Sequence, residues 1–431
     1  MQYNEFDLKN GIHVITVPTH GTKAVTVMAM FPVGSRYENK KLSGASHFVE
    51  HMMFKGTERR PTYLDISREL DSVGAEYNAF TSKDFTGYYI KINTSQMNKA
   101  FSMLSDMIFN SKLEEKEVEK EKGVICEEIK MYDDNPTMAV DNLFDFAMFG
   151  DHPLGWDVAG TKDTVIGLSR QELNDYYKKY YIPGNMVLAV AGNFDENELK
   201  KSLEFFENAE RDSGANRTRE LTGNFEKFEW QAGDLEPEKR TQVSERKLDQ
   251  AHVILGFPGL PYDHPDRSAA SVLLNILGGG MSSRLFVEVR EKRGLAYMVH
   301  AGGSSFREVG QAVVQAGLDP SRLGDAFKVI RQELEKISTE PVTAKELENS
   351  KNFIAGHMAL GMEDSSAQAQ WFVKQFLFFK KMETYEDVIE EIKKVKIEDV
   401  QKLAQRFFKF NQMRIAVISP LSKEKILSML K

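Results

Sequence analysis

The run SHFVEHMMFKGT, Ser46–Thr57, sets His47 and His51 four residues apart and puts Glu50 directly before the second histidine. On a helix, positions i and i+4 share a face, about 5–6 Å apart at Cβ. That spacing lets two imidazole nitrogens converge on one ion. Glu50, three residues after His47, falls at the edge of the same face. It could take a proton from water held at such an ion without itself being a ligand. Ser43 or Ser46 can cap a helix starting here, and Ala45, Phe48, Val49, Met52 and Met53 favour its burial. The competing explanation is a buried helix with a few satisfied polar residues. A third ligand decides between the two.

Zinc in a catalytic site takes three protein ligands and keeps one position for water. The charge-rich run EEKEVEKEKGVICEEIKMYDDNP, Glu114–Pro136, holds the candidates. Most carboxylates in such a run face solvent. Val118, Glu121, Ile125, Glu128 and Tyr132, however, recur at steps of three and four and form one core-facing stripe. Carboxylates on a buried stripe need a partner, because an unpaired buried charge is costly. Glu128 is placed to be the ligand and Glu121 to orient a histidine from behind. Glu127 is the alternative ligand, about 100° round the helix. Cys126, beside it, faces away from Glu128 and reads as packing.

The elements that carry these residues belong to a duplicated chain. LSRQELNDYYKKYYIPGNMVLAVAG (168–192) aligns without a gap with VKIEDVQKLAQRFFKFNQMRIAVIS (395–419), at an offset of 227 in a chain of 431 residues. Each copy reads as an amphipathic helix, an aromatic exit and a buried strand, followed by a polar helix start. Strands are expected at Val25–Phe31 and His252–Phe257, and helices at Leu64–Val73 and Met97–Phe109. The fold class is therefore α+β, with two homologous domains, each a mainly antiparallel sheet packed with helices. Residues 1–212 form the first domain, 213–240 a linker and 241–431 the second. The segment matching the histidine run, AASVLLNILGGG (Ala269–Gly280), has neither His nor Glu, so the second domain cannot repeat the site.

Charge and composition exclude some roles. With 56 Lys and Arg against 64 Asp and Glu, the net charge of -8 argues against nucleic acid as a partner. A single cysteine forbids an intramolecular disulfide and fits a reducing compartment. The opening MQYNEFDLKNG carries no basic and apolar leader pattern, and no apolar run nears the roughly 18 residues of a membrane span. A cytoplasmic protein without a membrane partner is expected.

Taken together, HFVEHMMFKGT, YNAFTSKDFTGYY, EKEKGVICEEIKMYDDNP and HPLGWDVAGT resemble the M16 family of zinc peptidases, which includes the mitochondrial processing peptidase, pitrilysin and insulin-degrading enzyme groups. The resemblance runs from Glu5 to the end of the chain. It implies one Zn2+ per chain, held by His47, His51 and Glu128, with Glu50 as the base that activates water and Glu121 in support. The implied activity is endopeptidase cleavage of extended peptides or small unfolded polypeptides inside a closed chamber. In MSSRLFVEVREKRGLAYMV, spacing alone makes Arg290 a surface arginine and Tyr297 a core tyrosine. The resemblance instead implies a substrate-binding pair near the scissile carbonyl. AEYNAFTSKDFTGYYIKI reads as two strands about a turn at Ser82–Asp84. In the family the edge strand here pairs with the peptide, which makes Asn78 and Ala79 candidate substrate contacts. Four such domains build the family's clamshell, and this chain supplies half of one. A homodimer with Arg290 and Tyr297 acting in trans is implied; a heterodimer with a paralogue lacking the zinc motif is the alternative.

Overall fold

The computed structural model describes residues 1–209, 225–230 and 236–430. The linker expected at 213–240 lies largely outside the described residues.

Two sheets organise the chain. The first holds β1 (Asn4–Asp7), β2 (His13–Pro18), β3 (Ala24–Phe31), β4 (Glu76–Thr81), β5 (Thr86–Asn93) and β6 (Val187–Gly192), in the order β1-β2-β6-β3-β5-β4. The second holds β7 (Thr241–Glu245), β8 (Ala251–Pro258), β9 (Ala296–Ser305), β10 (Gly310–Leu318) and β11 (Arg414–Ser419), in the order β7-β11-β8-β10-β9. All neighbours are antiparallel except β2 with β6 and β7 with β11. The fold is α+β, and the β-branched runs read from the sequence are the central strands β3 and β8. The expected helices form at Tyr63–Asp71 and Met97–Asn110. The duplication is carried by the elements themselves. The helix Arg170–Tyr180, strand β6 and helix Glu196–Glu207 each begin 227 residues before the helix Ile397–Phe407, strand β11 and helix Lys423–Met429.

The compact units do not follow the chain in one cut. One comprises Met1–Lys130, Asp157–Glu226 and Leu360–Thr384; the other comprises Met131–Trp156, Lys227–Ala359 and Tyr385–Lys431. Each half thus lends one helix to the other's sheet. In the first unit, the helix Ser365–Phe378 lies against β3 and β6. Ser365 Oγ bonds Thr26 Oγ1 at 2.8 Å, Asp364 holds Lys91 Nζ at 2.7 Å, and the Phe376 ring stacks on His13 at 3.8 Å. In the second unit, the helix Pro136–Phe149 buries Val140, Phe144 and Met148 against Ile254, Ala416 and Ile418. Gly256 on β8 makes room for this helix, since a Cβ there would sit 2.1 Å from the tip of the Phe144 ring.

Candidate metal centre

His47, Glu50 and His51 lie on the helix Ala45–Met52, only eight residues long. Such a short helix is marginal by propensity. Burial holds it: Ala45, Phe48, Val49 and Met52 are all fully enclosed. Neither Ser43 nor Ser46 caps it, which corrects the expectation. The N-cap is Gly44 at φ 95°, and a Cβ there would meet the Ala159 carbonyl oxygen at 2.6 Å. Ser46 Oγ is occupied by Tyr176 Oη at 2.5 Å. The cap comes from an earlier residue: Glu38 accepts from Gly44 N–H at 2.8 Å and from Ser46 N–H at 2.6 Å. Burial pushes the Glu38 carboxyl up to about 8, against those two bonds.

The helix Glu115–Asp134 brings the third group. It buries Val118, Glu121 and Ile125 and leaves Glu128 half-buried, as the stripe predicts. One ligand atom each from His47, His51 and Glu128 lies within 4.8 Å of the others. Glu128 Oε2 is 3.8 Å from His47 Nε2 and 3.3 Å from His51 Nε2. A tetrahedral zinc with bonds of about 2.0–2.2 Å separates its ligands by about 3.3–3.6 Å. Two nitrogens and a carboxylate oxygen at these spacings fit zinc in both geometry and donor type. Glu127 is exposed and outside the group.

The surrounding electrostatics treat the two imidazoles differently, and His51 has to give up a proton to any ion it binds. His51 Nδ1 donates to Glu121 Oε1 at 2.9 Å, and buried Glu121 is anchored by Lys55 Nζ at 2.6 Å. This fixes the imidazole plane and turns Nε2 toward Glu128. Burial works against the ionised Glu121, but the bonds from His51 and Lys55 hold its pKa below the usual range. Burial also opposes a charge on His51, yet Glu121 and Glu128 raise it to about 9. His47, desolvated and beside His51, falls to about 4 and stays neutral with a free lone pair. Burial raises the Glu50 pKa, opposed by a hydrogen bond from Thr81 and the charge of His51. Thr81 Oγ1 donates to Glu50 Oε2 from the end of β4. Thr81, Lys55 and Glu38 were not singled out from the sequence. Lys55 could have been, since it lies one turn beyond His51.

Asn78 and Ala79 sit on β4, the outermost strand of its sheet, where exposed Asn78 accepts from Ala79 N–H through Oδ1 at 2.9 Å. The turn between β4 and β5 falls at 82–85, as expected. In the second unit the Arg290 guanidinium lies 5.3 Å from the Tyr297 ring centroid. Tyr297 is 75% exposed, so it is no core residue. It lies on β9, the outermost strand of its sheet. The helix Arg267–Gly278 matches the histidine helix in chain order and carries no metal ligand.

Residues 13–162 match the model of Insulinase (Peptidase family M16), and residues 167–354 match that of the Peptidase M16 inactive domain. The chain belongs to peptidase family M16. This M16 chain is 35% identical over 417 residues to the uncharacterized zinc protease YmxG of Bacillus subtilis, covering 96% of this chain and 98% of that one. It is 37% identical over 421 residues to an uncharacterized zinc protease of Streptomyces coelicolor, covering 97% and 90%. A protease from Helicobacter pylori shares the fold, with a TM-score of 0.85 at 24% identity over 97% of this chain and 99% of its own. A putative M16-like peptidase from Alicyclobacillus acidocaldarius shares it too, with a TM-score of 0.81 at 22% identity over 97% and 98%. Among the described residues of the M16 chain, no helix is long and apolar enough to cross a membrane.

Proposed function

We propose that the chain is a zinc-dependent endopeptidase that hydrolyses extended peptides or small unfolded polypeptides, in a closed chamber made by two copies of itself in the cytoplasm. The observation that carries this reading is the convergence of His47, His51 and Glu128 within 4.8 Å of one another, with the Glu50 pKa raised beside them. Relatives named zinc proteases support it. Zinc held by those three side chains, one ion per chain, would supply Lewis acidity toward water and the peptide carbonyl. Glu50 takes the proton of the attacking water and returns it to the leaving amine. Its raised pKa brings both transfers nearer to balance at neutral pH. Thr81 fixes the Glu50 carboxylate through Oε2 and leaves Oε1 for that proton.

The free edge of β4 accepts an extended peptide as an added strand. A peptide carbonyl takes the Ala79 N–H in place of the Asn78 side chain. Arg290 and Tyr297, from the second copy, hydrogen-bond the substrate near the scissile carbonyl, where donors stabilise developing charge. A paralogue without the zinc motif is the other partner that would complete the site.

Substitution Glu50→Gln tests the reading. The variant retains zinc at one per chain and loses at least about 100-fold in peptide hydrolysis, the scale of a lost general base. Metal analysis and mass-spectrometric digestion of a peptide library read both. Cleavage at the wild-type rate by this variant would sink the mechanism, and a wild-type protein without bound zinc would sink the function.

A further inference from the structure

Two ties join the histidine helix to the β4–β5 hairpin, one of them the contact between Thr81 and Glu50. The other is the segment Gly34–Glu38. Its backbone lies on the turn: Ser35 N–H donates to the Ser82 carbonyl and Arg36 N–H to the Lys83 carbonyl, both at 3.1 Å. Gly34 is pressed so close that a Cβ would sit 2.1 Å from the Ser82 oxygen. Arg36 Nη1 donates to Asp84 Oδ1 at 2.9 Å, with both side chains fully enclosed. Two residues on, Glu38 turns the other way and grips the start of the histidine helix through Gly44 N–H and Ser46 N–H. Five residues thus join the turn that ends β4 to the helix that carries His47, Glu50 and His51.

We infer that Gly34–Glu38 is a bracket that sets the helix of His47, Glu50 and His51 against strand β4, with Glu38 and Arg36 as positioning residues for the metal ligands and the base. This rests on the reading in the preceding section. Glu38 supplies the acceptors that the helix lacks at its own N-cap, on a helix of barely two turns whose rotation aims both imidazoles. Arg36 and Asp84 fix the turn that begins one residue after Thr81, and so fix the partner of Glu50. Sites of this kind tolerate displacements of only about 0.5 Å or 10–20° before function declines.

Cobalt(II) titration of the metal-free protein, with its visible spectrum, reads ligand placement without catalysis. In Glu38→Gln an NH2 replaces one acceptor and opposes a backbone N–H. Cobalt affinity is expected to fall about 10–100-fold, as when a group orienting a ligand is removed. The spectrum shifts, and kcat falls while KM stays within about twofold. Arg36→Lys keeps the charge but loses the fork, and lowers kcat with cobalt affinity retained. Asp195→Asn is the control. Asp195 caps the helix Glu196–Glu207 with the same chemistry, accepting from Asn197 N–H at 2.9 Å and Glu198 N–H at 3.0 Å. It lowers Tm as Glu38→Gln does and leaves cobalt binding and kcat unchanged. Wild-type cobalt affinity and kcat in Glu38→Gln would overturn the bracket, as would equal losses in Asp195→Asn. If Glu38→Gln does not fold, Glu38→Asp, too short to reach both N–H groups, takes its place. If the wild type binds no cobalt, the peptidase reading falls, and amide exchange over Gly44–Met52 then decides the bracket: faster exchange in the variant supports it and unchanged exchange overturns it.

Discussion

Two neighbouring carboxylates on one helix meet different fates at this centre. Glu128 reaches both imidazoles, whereas Glu127 faces solvent one position away. Glu128→Gln should therefore weaken zinc binding at least about 100-fold, because an anionic ligand becomes a neutral amide, while Glu127→Gln leaves it unchanged. Competition with a chelating dye measures both; equal losses would mean that the helix is rotated from its described position. This distinction was legible in the sequence because helical periodicity is rigid: once Val118 and Ile125 define the buried stripe, Glu121 and Glu128 follow. Glu38 and Thr81 were not legible. Glu38 caps a helix from six residues before its N-cap, through a loop with no period, and Thr81 meets Glu50 only because two separate elements are docked together. For Tyr297 it was the reading from spacing alone that went wrong. An aromatic in an apolar strand reads as core, but Tyr297 falls where the register of β9 on β10 shifts, and it is left open.

The elements were largely readable, and their partners were not. β3, β8 and the gapless 25-residue match at an offset of 227 all appear where apolar patterning puts them. An amphipathic pattern states which face of a helix is buried, however, and not against what. The helix Pro136–Phe149 lies in the first half of the chain and packs on β8 and β11 of the second unit, through Phe144 among others. Phe144→Ala should cost about 3–5 kcal/mol, the range for a buried phenylalanine. The loss should surface in the second unit. Hydrogen exchange should accelerate in β8 and β11, with β3 and β6 protected as before. Acceleration confined to β3 and β6 would contradict the exchange of helices.

At the scale of the whole molecule, the proposed homodimer makes a prediction that no single chain can satisfy. Glu50→Gln and Arg290→Ala chains are each inactive alone. Mixed and allowed to exchange subunits, they form dimers in which one site joins an intact Glu50 to an intact Arg290. Activity should recover to about one quarter of the wild-type level per site, since half of the dimers are mixed and each has one good site of two. No recovery after confirmed exchange would place Arg290 in the same chain's site. The exchanged helices also impose an order in time. On the ribosome, Pro136–Phe149 emerges before any strand it will cover; β11 follows some 265 residues later. At about 5–20 residues per second, that leaves its apolar face waiting for roughly 13–53 s. The helix Ser365–Phe378 likewise reaches β3 and β6 only after most of the polypeptide has been made, so neither sheet is both complete and covered before then.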